Sequence, residues 1–466
     1  MRIFLVWGIL LYLRFFAKIA LFLHRPFIIG IAGSVGKSST RNAFHAVLKE
    51  HKTTKVVTGN SETGVPLGIL GLTVEGYTAK DWLKVMLKSP THLHSLAKVD
   101  YLIIEMGIDD PFPPKNMGYL LSIVKPDLAV SLNISATHTM QFAKLLKGKR
   151  MKNPTEYLLE QIAREDTKII TASHCKIGVY NKDDLHIASQ IEKFSKKKTH
   201  TKLVSFGKGK ENDVIYLGYE VTTKKCKFTF SVNTSRGEKE LELSFNQFLL
   251  PQAYQESLAA VIAACVNMNI GITLLKESIE KNFKLPKSRA SIFEGINDSM
   301  IIDSTYNSSK SSVLTFLDLV KKLKDKTDRP VIFIMGDMRE LGEQAEAEHT
   351  QVAQKLSGIV DYLYTVGPLT AQYVIPTVKE LMTSRKKTSL MVADSFKSAL
   401  QLALHVKAEI PKNAIILVKG SQNEIFLEEA VKFLLQNPAD AKNLCRQDDY
   451  WSKTKATYFN LEAPTS

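Results

Sequence analysis

Cysteine is scarce in this 466-residue chain: Cys175, Cys226, Cys265 and Cys445 lie far apart, with no Cys-x-x-Cys pair. That spacing excludes a zinc ribbon and suggests no disulfide framework, so the reducing cytoplasm is the expected compartment. Acidic residues are outnumbered, 47 against 62 lysines and arginines. The formal charge of +15 favours anionic partners: nucleotides, phosphorylated substrates or anionic lipid headgroups. Nucleic acid is not an expected partner, because the lysines are scattered and their densest run, 193–202, reads as a solvated loop. A long uninterrupted apolar run is also missing. Residues 1–24 are apolar except for Arg14 and Lys18 near the middle, and the run Ile3 to Leu13 is too short to cross a bilayer. Those two cations, four apart, share one helix face. Two readings stay open for this stretch: a helix lying in the interface at the cytoplasmic face of the inner membrane, or one packed on the protein's own surface. No small-residue cleavage site follows, so a signal peptide is not expected.

What is present is organised around Gly30-Ile31-Ala32-Gly33-Ser34-Val35-Gly36-Lys37-Ser38-Ser39-Thr40, which follows an apolar run and precedes an amphipathic stretch. A glycine-rich turn between strand and helix lets backbone N–H groups approach an anion, and the helix adds its positive end. Lys37 supplies a mobile charge and the Ser38 hydroxyl can hold Mg²⁺. ATP is the expected guest, its phosphates surrounded by Gly33, Ser34, Val35, Gly36, Lys37, Ser38 and Ser39. The spacing departs from the ordinary phosphate loop, since the glycines fall at 30, 33 and 36 and Ile31 stands where a glycine is usual.

The length leaves room for two or three domains, and 44% apolar residues is ordinary globular content. Phe27 to Ile31 reads as a strand, Thr40 to Leu48 as a helix, and Tyr101 to Gly107 as an apolar strand delivering Glu105 at its carboxyl end, where open α/β sheets collect ligands. The strand starting at Leu128 is followed by His138. Segments from Val204 to Phe245 read as antiparallel strands, and Pro251 to Met268 as a helix.

The phosphate loop resembles that of the Mur ligase family, ATP-dependent enzymes that form amide bonds. Further segments extend the likeness in order. Thr58 to Gly68 is similar to the Asn-rich, Gly-x-Pro loop of the MurF-type branch, and Glu105-Met-Gly with the later Asn133-Ile-x-x-x-His138 repeats the family's metal-binding pattern. Asn181-Lys-Asp-Asp184 resembles its Asn-x-Asp-Asp turn. Lys287-Ser-Arg289, Ile301 to Lys310, Val331 to Glu343 with His349, and Ile415 to Ser421 resemble the branch's distal motifs.

The resemblance implies an α/β fold, with a P-loop-containing Mur ligase central domain followed by a Rossmann-like C-terminal domain. The expected boundaries are an apolar helix at 1–24, the ATP domain at 25–286, the second domain at 287–437 and a tail at 438–466. It implies that Ser38 holds one Mg²⁺ with the ATP phosphates, and that Glu105 and His138 help hold a second. At the family's carbamylated lysine the alignment puts Asp166, with Lys168 two residues away as competitor. Glu256 or Ser257 falls where the family reads adenine with an asparagine. Lys37, Glu105, His138 and Arg289 would be catalytic, Arg289 reaching the γ-phosphate region, while Asp303, Tyr306 and Asn307 would touch the nucleotide. The implied reaction joins an amino acid or dipeptide amine such as D-alanyl-D-alanine to a peptidoglycan-precursor carboxylate through an acyl phosphate, in a monomer. Only 26 residues precede the strand of the phosphate loop. The branch's domain for gripping uridine diphosphate is therefore not expected, and a ligase on another acceptor, like folylpolyglutamate or cyanophycin synthetase, stays open. A nucleotide-binding scaffold without ligase activity stays open too. The absence of clustered cysteines argues against the amidotransferase-associated branch.

Overall fold

The apolar run Phe27–Ala32 forms β1, and Ile29, Ile31 and Ala32 in it are fully buried. A strand buried on both faces belongs in the middle of a parallel sheet covered by helices. A computed structural model describes residues 2–459 apart from 75, 77, 137, 138, 149, 150, 198, 340, 384–389, 422 and 423. Two compact units result. The first runs to Gly218 and takes in Phe228–Leu243 and Tyr254–Lys284; the second takes in Tyr219–Lys227, Ser244–Ala253 and the chain from Leu285.

The first sheet has nine strands in the order β2-β3-β1-β4-β5-β6-β7-β8-β9. Its strands are β2 (Thr54–Val57), β3 (Tyr101–Glu105), β4 (Leu128–Ser131), β5 (Ile177–Asn181), β6 (Lys202–Gly207), β7 (Val214–Val221), β8 (Cys226–Thr234) and β9 (Gly237–Phe245). From β1 the chain moves outward to β2, returns through β3, and resumes on the other side of β1 with β4. The direction of winding thus reverses beside β1, which is where open α/β sheets form a crevice at the strands' carboxyl ends. Parallel pairing sets Ile31 opposite Glu105 and Ala32 opposite Ser131, so three strand ends meet there. One expectation is corrected: the pairings at Val204 and Val214 are not antiparallel, because β6 runs parallel to β5, with Val179 opposite Val204, and β7 meets β6 in parallel, with Phe206 opposite Val214. Alternating polarity marks a half-exposed strand but carries no information about direction.

The helices of this unit include α1 (Arg2–His24), α2 (Lys37–Leu48), α3 (Gly64–Leu70), α4 (Ala79–Lys88) and α5 (Met117–Ile123). The stretch 1–24 is a single helix packed on the unit's own core. Its Leu10, Leu13, Ala17 and Ala20, spaced three and four apart, are at most 1% exposed and join the cluster that contains Val65, Leu96 and Leu120.

The second sheet is ordered β10-β11-β15-β12-β13-β14. It comprises β10 (Ser291–Gly295), β11 (Ser299–Ser304), β12 (Val331–Gly336), β13 (Tyr362–Val366), β14 (Val392–Phe396) and β15 (Ile415–Lys419). β10 is antiparallel to β11, and the other neighbours pair parallel. The carboxyl ends of β11, β15 and β12 again line up: Ser304 is opposite Lys419, and Lys419 opposite Met335.

The segment after residue 437 is bound into this unit by charge. Arg446 makes a two-pronged contact with Glu428, 2.8 Å for both Nε–Oε1 and Nη2–Oε2, and Nη2 also donates to the Thr305 carbonyl at 2.9 Å. Lys455 reaches Glu429 at 2.5 Å and the Arg446 carbonyl at 2.6 Å. Glu428 is completely buried, so removing Arg446 leaves a carboxylate in a low dielectric with only the Lys455 ammonium, 3.7 Å away, against it. Arg446→Ala should therefore destabilise the protein by about 3–5 kcal/mol in denaturant unfolding; a change within error of zero would show that water reaches the pair.

Candidate functional site

Between β1 and α2 the backbone makes a turn that only glycine enters easily: Gly33 has φ 138° and Gly36 φ 91°. A Cβ on Gly33 would lie 2.9 Å from the Leu132 Cβ, and one on Gly36 3.1 Å from the Ser257 Oγ. The loop is held open by its neighbour after β4. Asn133 accepts from the Val35 N–H at 2.9 Å and donates to the Val35 carbonyl at 3.0 Å, the Ser34 N–H donates to the Asn133 carbonyl at 2.8 Å, and the Ser135 N–H donates to the Ser34 hydroxyl at 2.9 Å. Asn133 in turn donates to Glu256 at 2.5 Å, and Ser257 donates to the Gly36 carbonyl at 3.3 Å. Glu256 and Ser257 thus brace the loop. Burial pushes the Glu256 carboxyl up to about 7; the Asn133 hydrogen bond opposes the shift, and Asp184 and Asp183 add to it. Beside Glu256 the buried Tyr216 hydroxyl has no hydrogen-bond partner among the described residues, and its pKa is raised by burial first and by Glu256 second.

Lys37 donates to the Gly33 and Ser34 carbonyls, which centres its ammonium in the loop. Its pKa is lowered by burial and pulled back up by Asp166, Glu105 and Asp109. Ser38 donates to the Glu105 Oε2 at 3.1 Å, and the other Glu105 oxygen meets the Arg41 guanidinium at 2.6 Å in a charge contact rather than an aligned hydrogen bond. Sequence reading missed Arg41, although its place one turn after Ser38 on α2 was the available signal. A hydroxyl beside a carboxylate is a hard-oxygen pair of the kind Mg²⁺ takes, and the Arg41 charge now balances the carboxylate. His138 lies outside the described residues. Among the described residues, no group of three or more His, Cys, Asp or Glu side chains is gathered to hold a metal.

Asp166, on the helix Pro154–Asp166, is buried against the loop. Its Oδ2 accepts from the Ser131 hydroxyl at 3.1 Å. Burial raises its carboxyl to about 7, while Lys37, the Ser131 bond and the Gly33 N–H pull it down. Lys168 is instead spent on Glu165, at 2.5 Å. Of the two alignment candidates, Asp166 is therefore the one at the phosphate loop.

In the second unit the guanidinium carbon of Arg289 lies 4.5 Å from the centroid of the Tyr306 ring, and its Nε has no hydrogen-bond partner among the described residues. Asp303 is completely buried and accepts from the Thr305 N–H at 3.0 Å and hydroxyl at 2.8 Å, so its carboxylate shapes the turn after β11. Burial raises it to about 6, against hydrogen bonds from Ser288 and Thr305. Asn307 is exposed, and its carbonyl accepts from Lys419 Nζ at 2.8 Å. Sequence reading missed Lys419 as a site residue; the signal was a cation ending the apolar strand β15. It is 2% exposed and 5.2 Å from the Phe316 ring centroid. Burial lowers its pKa to about 7, Arg289 pushes the same way, and Asp303 opposes. The signature at 336–343 is structural in its described part: Asp337 accepts from the Leu369 and Thr370 N–H groups at 3.1 and 2.7 Å, and His349 Nε2 accepts from the Met338 N–H at 3.1 Å.

Residues 31–264 match the Mur ligase middle domain, and residues 288–422 match the Mur ligase glutamate ligase domain. The chain belongs to the Mur ligase family. Among similar proteins of this family is the UDP-N-acetylmuramoyl-tripeptide–D-alanyl-D-alanine ligase of Escherichia coli K12. It is 24% identical over 420 residues, which are 88% of this chain and 77% of the relative. The fold is shared with MurF from Thermotoga maritima solved in complex with ADP, with a TM-score of 0.67, 18% identity, and coverage of 91% of this chain and 83% of that one. Escherichia coli FolC, solved with DHPP and ADP, resembles it less: TM-score 0.52, 16% identity, coverage 88% and 89%. The Mur ligase domains thus place the phosphate loop in the first matched stretch and Arg289, Asp303 and Lys419 in the second.

Because Lys419 carries a proton in the unfolded chain up to about pH 10 but loses it in the folded protein above about 7, its burial costs stability that grows as pH falls through that window. Lys419→Met, which removes the charge, should therefore gain on the parent as pH drops from 9.5 to 7, with a slope approaching about 1.4 kcal/mol per pH unit in denaturant unfolding. Parallel stability profiles would mean that Lys419 stays charged in the fold.

Proposed function

We propose that this chain is an ATP-dependent carboxylate–amine ligase that adds D-alanyl-D-alanine, or a similar amine, to a peptidoglycan precursor. The observation that carries the reading is the meeting, at one edge of the first sheet, of the phosphate loop centred on Lys37 with the Ser38–Glu105 oxygen pair at 3.1 Å, within a Mur ligase middle domain. The names of the relatives support the choice of substrates.

In the proposed reaction a precursor carboxylate oxygen takes the terminal phosphoryl group of ATP and ADP leaves. The amine nitrogen then attacks the carbonyl carbon of the acyl phosphate, the C–O bond breaks, inorganic phosphate departs, and the nitrogen gives up a proton. The protein must neutralise phosphate charge and align two anions. Backbone N–H groups of Gly36, Lys37 and Ser38 cradle the phosphates, while those of Gly33, Ser34 and Val35 tie the loop to Asp166 and Asn133, and Lys37 turns from its own loop carbonyls toward the anion. Ser38, Glu105, Asp166 and His138 are the proposed Mg²⁺ donors, and bound Mg²⁺ would supply positive charge to the phosphate oxygens. Arg289, oriented by the Tyr306 ring, brings a guanidinium charge to an anion. Lys419 fixes the Asn307 turn beside it.

Phosphate release measured with UDP-linked muramoyl tripeptide and other acceptors, each paired with D-alanyl-D-alanine or single amino acids, tests the reading. Strong stimulation is expected only with D-alanyl-D-alanine or a close analogue. Turnover stimulated solely by a single amino acid with another acceptor would move the chain to the folylpolyglutamate-synthetase type, and no stimulation by any pair would leave a nucleotide-binding scaffold.

Two substitutions test the site. Lys37→Ala should abolish turnover without unfolding the chain, because a half-buried loop lysine serves charge rather than packing. Asp166→Asn should lower turnover by about tenfold or more while Lys168→Ala stays near the parent, with no response to bicarbonate. An inactive Lys168→Ala whose parent is stimulated by bicarbonate would restore the carbamate chemistry.

A further inference from the structure

α1 has two apolar faces and the body covers one. Opposite the buried stripe runs a second, spaced seven and four apart: Phe4, Leu11, Phe15 and Phe22 are 83%, 46%, 59% and 68% exposed. Lys18 is exposed on the same line, and the Arg25 guanidinium lies 5.1 Å from the centre of the Phe22 ring. α4 adjoins α1 through the Tyr12 hydroxyl, which donates to the Met86 carbonyl at 2.8 Å. It too turns apolar and basic residues outward: Leu83 and Leu87 are 57% and 70% exposed beside exposed Lys80, Lys84 and Lys88. The chain carries no Asp or Glu before Glu50 and none between Asp81 and Asp100, and Asp81 is engaged with Thr78 at the start of α4.

We propose that the outer faces of α1 and α4 form a docking surface for an anionic lipid bilayer, with the helix lying in the interface. Bare aromatic and aliphatic side chains interspersed with cations, and without acids, fit the acyl boundary and the anionic headgroups together. A second copy of the chain is a poor occupant, because a twofold contact on this face would set Lys18, Arg25 and the α4 lysines near their own equivalents. Among the described residues α1 is the one helix long and apolar enough to cross a membrane, but crossing would break what holds it to the body. Leu10, Leu13, Ala17 and Ala20 are buried there, Arg14 donates to the Ser122 hydroxyl at 3.2 Å, and the His24 ring lies 3.0 Å from the Leu93 carbonyl. Spanning would also carry Arg14 and Lys18 into hydrocarbon. The proposal goes beyond the ligase reading and does not depend on it.

The test is sedimentation of the full chain with phosphatidylcholine vesicles, with and without one quarter phosphatidylglycerol, at low and high salt. The parent should pellet with the anionic vesicles and much less with the neutral ones. Phe4→Ser, Phe15→Ser and Phe22→Ser combined should weaken binding by about tenfold or more. These positions are outward, so the variant should keep the parent's melting temperature and phosphate release in solution. Should it fail to fold, Lys18→Glu with Lys84→Glu decides: anionic-vesicle binding must fall while neutral-vesicle binding does not. Several results would each overturn the proposal: no pelleting of the parent, equal pelleting of the variants, a dimer that the serine variant dissolves, or a chain released from cell membranes only by detergent.

Discussion

The parallel register of β1 with β3 and β4 is the constraint on which the proposed phosphate site depends. With Ile31 fixed opposite Glu105 and Ala32 opposite Ser131, the strands end level, and the segment after each must emerge at one edge. A slip of one residue along β3 would turn Glu105 to the other face of the sheet. The glycines of the loop, the Ser38–Glu105 pair and the Ser131–Asp166 bond are therefore one arrangement, held by the apolar packing of three strands buried on both faces.

That packing has an electrostatic consequence. Lys37, Glu105, Arg41 and Asp166 share a poorly solvated pocket, where a single unmatched charge costs far more than at the surface. Glu105 is balanced by Arg41, and Asp166 by the Lys37 charge and by hydrogen bonds, although burial still lifts its carboxyl to about 7. A polyphosphate bound here would bring several negative charges, and Lys37 and Arg41 are the cations that would meet it. The second unit repeats the theme more sparsely: Lys419 and Arg289 repel each other, while Asp303 attracts Lys419 from the end of the neighbouring strand.

The motif of the phosphate loop and the strand ahead of it were legible because a glycine turn between an apolar run and a helix is a local pattern. Glu105 was legible for a related reason, as a carboxylate ending an apolar strand. The pairings that reading missed span long stretches of chain: Asn133 with Val35, Glu256 with Asn133, and Lys419 with Asn307. No local periodicity encodes such pairings. The direction of β6 failed for the same reason, since it is set by the strand it meets. For α1 the sequence left two readings because nearly every position is apolar; the stripe through Leu10, Leu13, Ala17 and Ala20 becomes distinct only once a body covers it.

The Arg446–Glu428 pair bears on where the second unit can be cut. By motif, the unit looks finished soon after β15 and the helix Leu427–Leu434. Yet Glu428 is buried in that helix, and its counterions, Arg446 and Lys455, come from downstream. A fragment ending near residue 437 would expose the Thr305 carbonyl and leave an acid inside an apolar layer, directly under the turn that carries Tyr306 and Asn307. An excised unit intended for ligand titration would thus need to extend through Tyr458, and a shorter one would report a damaged turn instead of weak affinity.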